Sequence, residues 1–365
     1  MKIAFFQNSF CTRAVKQATA LKNAGIEVYG ITSDTDLSRE THSSLLKNAF
    51  KDITYGIKDT KSLIRILKKE GIDLIHCHNF PDTQCFLAIN CKNSIPGLKV
   101  IHDIHDHGTL QYINLDEQQK KEEDFCQKYA DGFVFVSKEA GEAIKHNPES
   151  PSVIIYSKPN KNTVNFSVAG LKMRSLLKKI RRGKSLRLVY QGGMHSSPGH
   201  HRNYIPYFKE ALSRGHRLDI YSSTIYNMKS DSHKKIYYDY KALNPEKIRI
   251  YTPLPLKKLY KKMPYYDAGL SVLAAEAAPY QKFTIPNKIF EYAACGLPSI
   301  VNPEAEATAS YICKHKSGLI LKGWENVHTR QIETAEKNIL GSYNNFFMEN
   351  DTAEVIRFYK RVLGK

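Results

Sequence analysis

"FTIPNKIFEYAACGLPSIV", residues 283–301, joins a helix to a strand and carries its own punctuation. Pro286 stands at the approach to the helix, where its fixed φ suits the first turn. Gly296 and Pro298 stop the helix, and the apolar residues after them read as a buried strand. Lys288 and Glu291 lie one turn apart on nearly the same face. A carboxylate there can accept both hydroxyls of a ribose, while an ammonium and the free amides of a helix start favour phosphate. An ordinary capped helix with an exposed ion pair would use the same residues, so the chemistry alone leaves both readings open.

On either side of this stretch, short apolar runs alternate with longer amphipathic ones. The predicted strands of the first half are "KIAFFQ", "EVYGIT", "DITYGI", "DLIHCH", "KVIHDI", "GFVFVS" and "SVIIYS". Between them, "RAVKQATALKNAG" and "TKSLIRILKKEG" have helical spacing and end at a glycine suited to a C-cap. The alternation breaks at "KPNKNTVNFSVAG", residues 158–170, and resumes with "SLRLVYQGG", "RLDIYSS", "KIRIYTP", "AGLSVL", "LPSIVN" and "GLILK". Helices are predicted near 202–214, 256–263 and 287–295. This pattern predicts the α/β class: two Rossmann-like, doubly wound parallel-sheet domains facing a cleft, with ligands outside the carboxyl ends of the strands. The predicted boundaries are 1–165 for the first domain, 166–185 for a linker with a basic segment, 186–345 for the second domain and 346–365 for a terminal helix. Within that last segment "DTAEVIRFYKRVL" has an apolar stripe and a capping residue in Asp351 or Thr352.

The totals fit this division. A chain of 365 residues with 42% hydrophobic composition is long enough for two cores. Its seven cysteines lack a C-x-x-C spacing and sit mostly in apolar surroundings, which predicts reduced thiols and a cytoplasmic protein. The first residues, "MKIAFFQNSF", read as a strand, and no apolar run is long enough to span a bilayer. The net charge of +18 calls for an anionic partner: a sugar phosphate, a nucleic acid or an acidic lipid surface.

The densest polar cluster is "KVIHDIHDHG", residues 99–108, with His102, Asp103, His105, Asp106 and His107 at the end of a predicted strand. Alternation along a strand directs Asp103, His105 and His107 to one face and His102, Ile104 and Asp106 to the other. His76 and His78 share a face on another strand and could supplement one set. A metal-dependent hydrolase motif, H-x-H-x-D-H, would need a histidine where Ile104 stands, so we expect no catalytic metal. His105 is instead placed to hydrogen-bond a sugar hydroxyl or to stabilise charge near a reacting carbon.

The basic run "LKMRSLLKKIRRGKSLR", residues 171–187, offers Leu171, Leu176, Leu177 and Ile180 as one apolar side of a helix, a pattern suited either to anionic lipid or to a solvated helix beside a linker. RNA binding is the competing explanation of the charge. Its stacking aromatics would have to come from 22 scattered tyrosines, and it would leave the 286–298 segment unexplained. We therefore expect no nucleic-acid partner.

The segment "PNKIFEYAACGLPSIV" resembles the nucleotide-sugar motif of the retaining, GT4-like GT-B glycosyltransferases, often P-N-K-(I/L)-F-E-Y-(M/A)-A-x-G-x-P. "TRAVKQATALKNAGIEVYGIT" resembles that family's first helix and second strand, with Arg13 opening the helix. "DLIHCHN", "IHDIHDH", "ADGFVFVSKEA" and "LRLVYQGGMH" match further segments in the family's order, over roughly residues 1–320. The resemblance implies a GT-B fold whose final helix packs back onto the first domain. It carries the family's active-site histidine onto His105, with Asp106 orienting that histidine or the acceptor. It assigns the donor ribose to Glu291 and the diphosphate to Lys288 and the Gly192–Gly193 turn, with Asn287 beside them. Arg13 and Lys282 become candidate phosphate or acceptor contacts; the family's phosphate-binding arginine and lysine after the second-domain turn have no clear match in "HSSPGHHRN", which offers His195 and Arg202 only as candidates. The chain departs from the family at Phe283, where many relatives carry a glutamate, and at "QNSFCTR", which replaces a glycine pair.

The resemblance thus implies an enzyme that transfers a sugar with retention from a nucleotide-diphosphate sugar to a glycan or lipid-linked acceptor. No cofactor is expected, because lysine, helix-start amides and glycine backbone would neutralise the leaving diphosphate. A role in cell-envelope polysaccharide synthesis, at the inner face of the membrane, is the corresponding expectation. A sugar-nucleotide epimerase on the same architecture is the nearest enzymatic alternative.

Overall fold

The computed structural model describes residues 1–35, 46, 48–111, 114–183, 185–223, 228 and 230–365. They divide into two compact units, Met1–Asn160 with Met348–Lys365, and Lys161–Phe347. The expected strands are present, several of them trimmed.

Unit 1 is built on seven strands: β1 (Ile3–Gln7), β2 (Val28–Thr32), β3 (Ile53–Thr54), β4 (Leu74–His78), β5 (Lys99–Ile104), β6 (Gly132–Phe135) and β7 (Ser152–Ile154). All pairs are parallel, in the order β3-β2-β1-β4-β5-β6-β7. The order reverses between β1 and β4, the position at which a doubly wound sheet opens a crevice at its carboxyl edge. Strands β1, β2 and β4 are buried throughout, as a sheet covered on both faces requires. The helix Thr60–Glu70 ends at Gly71 in the left-handed conformation (φ 62°), its capping amide bonded back into the last turn.

The terminal helix, Thr352–Val362, belongs to unit 1: Val355, Phe358, Tyr359 and Val362 join the cluster that includes Phe5, Leu21, Ile101 and Val134. Neither expected capping residue caps it. Asp351 instead pairs with Lys158 at 2.7 Å, and the Thr352 hydroxyl donates to the Met348 carbonyl, because both side chains turn toward the unit rather than the helix amides.

Unit 2 has six parallel strands: β8 (Arg187–Gly192), β9 (Arg217–Ser222), β10 (Ile248–Tyr251), β11 (Ala268–Leu270), β12 (Ser299–Val301) and β13 (Gly318–Ile320), ordered β10-β9-β8-β11-β12-β13. Its reversal lies between β8 and β11. Residues 166–185, expected as a linker, instead contribute the helix Val168–Arg181 to unit 2. Lys178, Arg182, Glu336 and Asp267 form a buried charge network, in which Arg182 lies 3.0 Å from each carboxylate and Lys178 pairs with Glu336. Leu171 is also buried there, packed over Gly296, and so does not share a side with Leu176, Leu177 and Ile180.

Six of the largest fully buried side chains are tyrosines: Tyr190, Tyr240, Tyr260, Tyr280, Tyr292 and Tyr359. They serve the interior rather than a stacking surface. All seven cysteines are free thiols, and only Cys11 and Cys313 are not buried. Among the described residues no helix is long and apolar enough to cross a membrane.

Candidate functional site

Each unit carries a polar cluster at the carboxyl ends of its central strands. In unit 1 the register pairs His78 with Asp103, which puts His76, His78, Asp103 and His105 on one face of the sheet. Asp103 is fully buried and accepts from Arg13 Nε at 3.1 and 3.2 Å, from Gln17 at 3.3 Å and from His76 Nε2 at 3.2 Å. Burial alone would raise its pKa, but Arg13 and the two histidines hold it well below the usual carboxylate range. His76 meets the Tyr359 hydroxyl at 2.7 Å, which ties the terminal helix into the network.

His105 sits above this layer, just beyond the end of β5. Its Nδ1 is 4.0 Å from Asp103 and its Nε2 is 3.8 Å from Asp106. The Asn79 side chain fixes the turn by accepting from the amides of His105 (2.9 Å) and Asp106 (3.1 Å) and donating to the Asp106 carbonyl (2.7 Å). Burial lowers the His105 pKa and the two aspartates oppose that shift; the net lowering favours a neutral ring able to donate or accept near neutral pH.

The other members of the cluster are committed elsewhere. His102 points to the opposite face and bonds Asp82 at 2.7 Å. His107, expected on the His105 face, lies past the last residue of β5, where alternation no longer applies. It packs against the helix Glu117–Tyr129, 3.4 Å from Glu123 and 3.0 Å from Gln127. Arg13 reaches the strand ends but is buried against Asp103, with both terminal nitrogens making no hydrogen bond among the described residues.

The ligand atoms of His76, His78 and Asp103 lie within 4.8 Å of one another, a spacing that a metal ion could use. The Arg13 guanidinium already occupies both carboxylate oxygens, and a cation entering there would meet that positive charge. Neither His78 ring nitrogen makes a hydrogen bond among the described residues, yet the Arg13 charge on both carboxylate oxygens makes the set a poor metal centre.

In unit 2, β8 ends in a turn that only glycine adopts easily: Gly192 has φ 131°, and a Cβ on Gly193 would lie 2.8 Å from an Arg202 nitrogen. The Tyr190 hydroxyl pins the turn by donating to the Gly193 carbonyl at 2.6 Å. The helix Asn287–Ala294 begins beside it, with Asn287 exposed in its first turn. Lys288 extends over the Tyr190 ring, 4.1 Å from its centre, and its Nζ would be 3.3 Å from a Cβ on Gly192. Burial, with Arg202 nearby, depresses its pKa to about 7, and Glu291 offsets this only in part. Two cations thus converge on a glycine turn, as an anion site requires.

One turn along, Glu291 is buried and accepts a hydrogen bond from Gln191, the residue before the glycine pair. Gln191 was not singled out from the sequence, although its place at a strand end beside two glycines marks the position. Tyr292 accepts from the Gln191 amide at 3.1 Å, so the helix is bolted to the end of β8. His195 stacks on His200 at 3.9 Å, and Tyr240 donates to the His195 carbonyl at 2.8 Å; the loop is held, with Arg202 exposed over Gly193. Lys282 ends the short helix Pro279–Lys282, and no hydrogen bond or ion pair links it to this cluster among the described residues.

Two parallel α/β units of this topology define the GT-B fold, and solved structures agree over the whole chain. The sucrose-phosphate synthase from Thermosynechococcus elongatus is similar at a TM-score of 0.66 and 14% identity, covering 100% of this chain and 99% of its own. Anabaena HepE in complex with UDP is similar at 0.69 and 13%, covering 98% and 100%. A glycosyltransferase from Rickettsia africae is similar at 0.63 and 15%, covering 99% and 98%. The chain has the GT-B fold, and its residues 12–157 match the model of Glycosyltransferase Family 4, in line with the GT4-like resemblance of its sequence. No curated protein shows significant sequence similarity to it.

Proposed function

We propose that the protein is a glycosyltransferase that takes a sugar from a nucleotide-diphosphate donor and delivers it, with retention, to a glycan or lipid-linked acceptor. The observation that carries this reading is the convergence of Lys288 and Arg202 on the Gly192–Gly193 turn, with the buried Glu291 carboxylate one helical turn away. The cations and the helix-start amides would bind the diphosphate and stabilise it as a leaving group, and Glu291 would accept the ribose hydroxyls. In unit 1, His105 would hydrogen-bond the transferred sugar near its reacting carbon, with Asp106 beside it. The leaving phosphate would take the acceptor proton. Retention rests on the family resemblance.

HepE, which shares the fold, has been crystallised with UDP and with UDP-glucose. Uridine diphosphate sugars are therefore the first donors to test. A thermal-shift panel of UDP-, GDP-, ADP- and CMP-sugars should single out one base, since a ligand at 100 times its Kd adds about 2.7 kcal/mol of stability. Incubation with that donor should release nucleoside diphosphate in proportion to added acceptor. No shift with any donor would overturn the reading, and sugar conversion without acceptor would favour an epimerase.

A further inference from the structure

The helix Val168–Arg181 is built inside out. Past Leu171, which packs inward in its first turn, its inward face is polar: Ser175 donates to Glu336 at 2.9 Å, Lys178 pairs with Glu336 and donates to the Tyr266 carbonyl at 3.0 Å, and Arg182 at its end reaches Asp267 and Glu336. Its outward face is apolar. Ala169, Met173, Leu176, Leu177 and Ile180 recur at helical spacing, and the last four are 60%, 55%, 59% and 77% exposed. The buried ion pairs fix this roll. Turning the apolar arc inward would tear Lys178 and Arg182 from their carboxylates and leave those charges buried without partners.

Cations border the arc on both sides. At one hundred degrees per residue, Lys172 and Lys179 fall on one flank and Arg174 and Arg181 on the other. No aspartate or glutamate occurs between Glu149 and Glu210; Lys179 lies 3.4 Å from Glu333 and Arg181 3.4 Å from Asp267, while Lys172 has no carboxylate within ion-pair distance among the described residues. Tyr265, half exposed, stands beside the helix: Arg174 lies over its ring at 5.3 Å and Arg181 donates to its carbonyl. The preceding helix, Leu256–Lys262, ends in the exposed Lys261 and Lys262. An apolar stripe between basic borders, with an amphipathic aromatic at its edge, is the composition of a helix lying in a membrane interface.

We propose that this face of unit 2 docks on an anionic lipid bilayer, with Met173, Leu176, Leu177 and Ile180 entering the headgroup boundary and the flanking lysines and arginines meeting acidic headgroups. Charge complementarity selects this occupant over a second copy of the chain, because a copy would bring the same cations to the contact. The inference uses unit 2 alone and does not depend on the transferase reading.

Vesicle flotation of the full chain tests it, comparing equal parts phosphatidylglycerol and phosphatidylcholine with phosphatidylcholine alone. The protein should float with the anionic vesicles and be released by salt. The Leu177→Ser, Ile180→Ser double variant should lose partitioning by roughly tenfold for each side chain, with an unchanged unfolding midpoint because both residues are exposed. Equal flotation of the two proteins, or none by either, overturns the proposal. So does a wild-type dimer that ignores vesicles and dissociates in the double variant, which would make the face a contact between copies. Nucleoside diphosphate binding by the same preparations tests the transferase reading separately.

Discussion

The two strand-end clusters are opposite solutions to placing charge inside a protein. In unit 1 the charges answer one another: Asp103 is matched by Arg13 and roofed by His76 and His78, whose pKa values burial pushes down. In unit 2 Lys288 lies against an aromatic ring beside another cation, and its pKa falls to about 7. A carboxylate paired with a guanidinium gives rigidity, even with both Arg13 terminal nitrogens left without hydrogen bonds among the described residues; a strained cation gives affinity, because an arriving anion supplies the partner that the fold withholds. The contrast separates what builds the protein from what we read as its binding chemistry.

The largest effect is expected where that balance is broken in unit 1. Asp103→Ala leaves a buried guanidinium without its carboxylate and should cost about 3–5 kcal/mol of stability, read from denaturant unfolding. A loss below about 1 kcal/mol would mean that water or another group already serves Arg13, and the cluster would not be the sealed network described.

A smaller effect, of another kind, is expected in unit 2. Glu291→Ala should weaken nucleotide-sugar binding by about 1.5–3 kcal/mol, the range for hydrogen bonds to a charged group, or roughly 10- to 100-fold by calorimetry. Unchanged donor affinity would remove Glu291 from the site and leave it the task of holding Gln191.

Much of this was legible in the sequence where the signal was local. The helix read between Pro286 and Gly296 spans Asn287–Ala294, and the apolar run before His105 forms β5. What stayed hidden depends on partners distant in sequence. His107 follows the alternation of "HDIHDH" on paper, but the strand stops at Ile104 and Glu123 captures the ring. Arg13 looks available at a helix start, yet Asp103, 90 residues later, takes its Nε. The 168–181 helix shows its apolar stripe in the sequence. Its periodicity does not say which way the stripe faces, and the buried carboxylates of Asp267 and Glu336 decide that. Tyrosine count is equally mute: Tyr190 and Tyr292 act by pinning the Gly192 turn, which composition cannot foretell.

The central claim is that Lys288 is an ammonium waiting for a diphosphate, and proton linkage tests it most directly. UDP is titrated into the wild-type protein and into Lys288→Met across pH values on both sides of about 7. Binding favours the charged lysine, so wild-type affinity should be greatest below that pH. Above it, affinity should fall by up to about tenfold per pH unit, with proton uptake on binding. The phosphate's own ionisation is common to both proteins, so their difference isolates the lysine, and the methionine variant should bind more weakly at low pH without this added slope. Identical pH profiles for the two proteins would contradict the account.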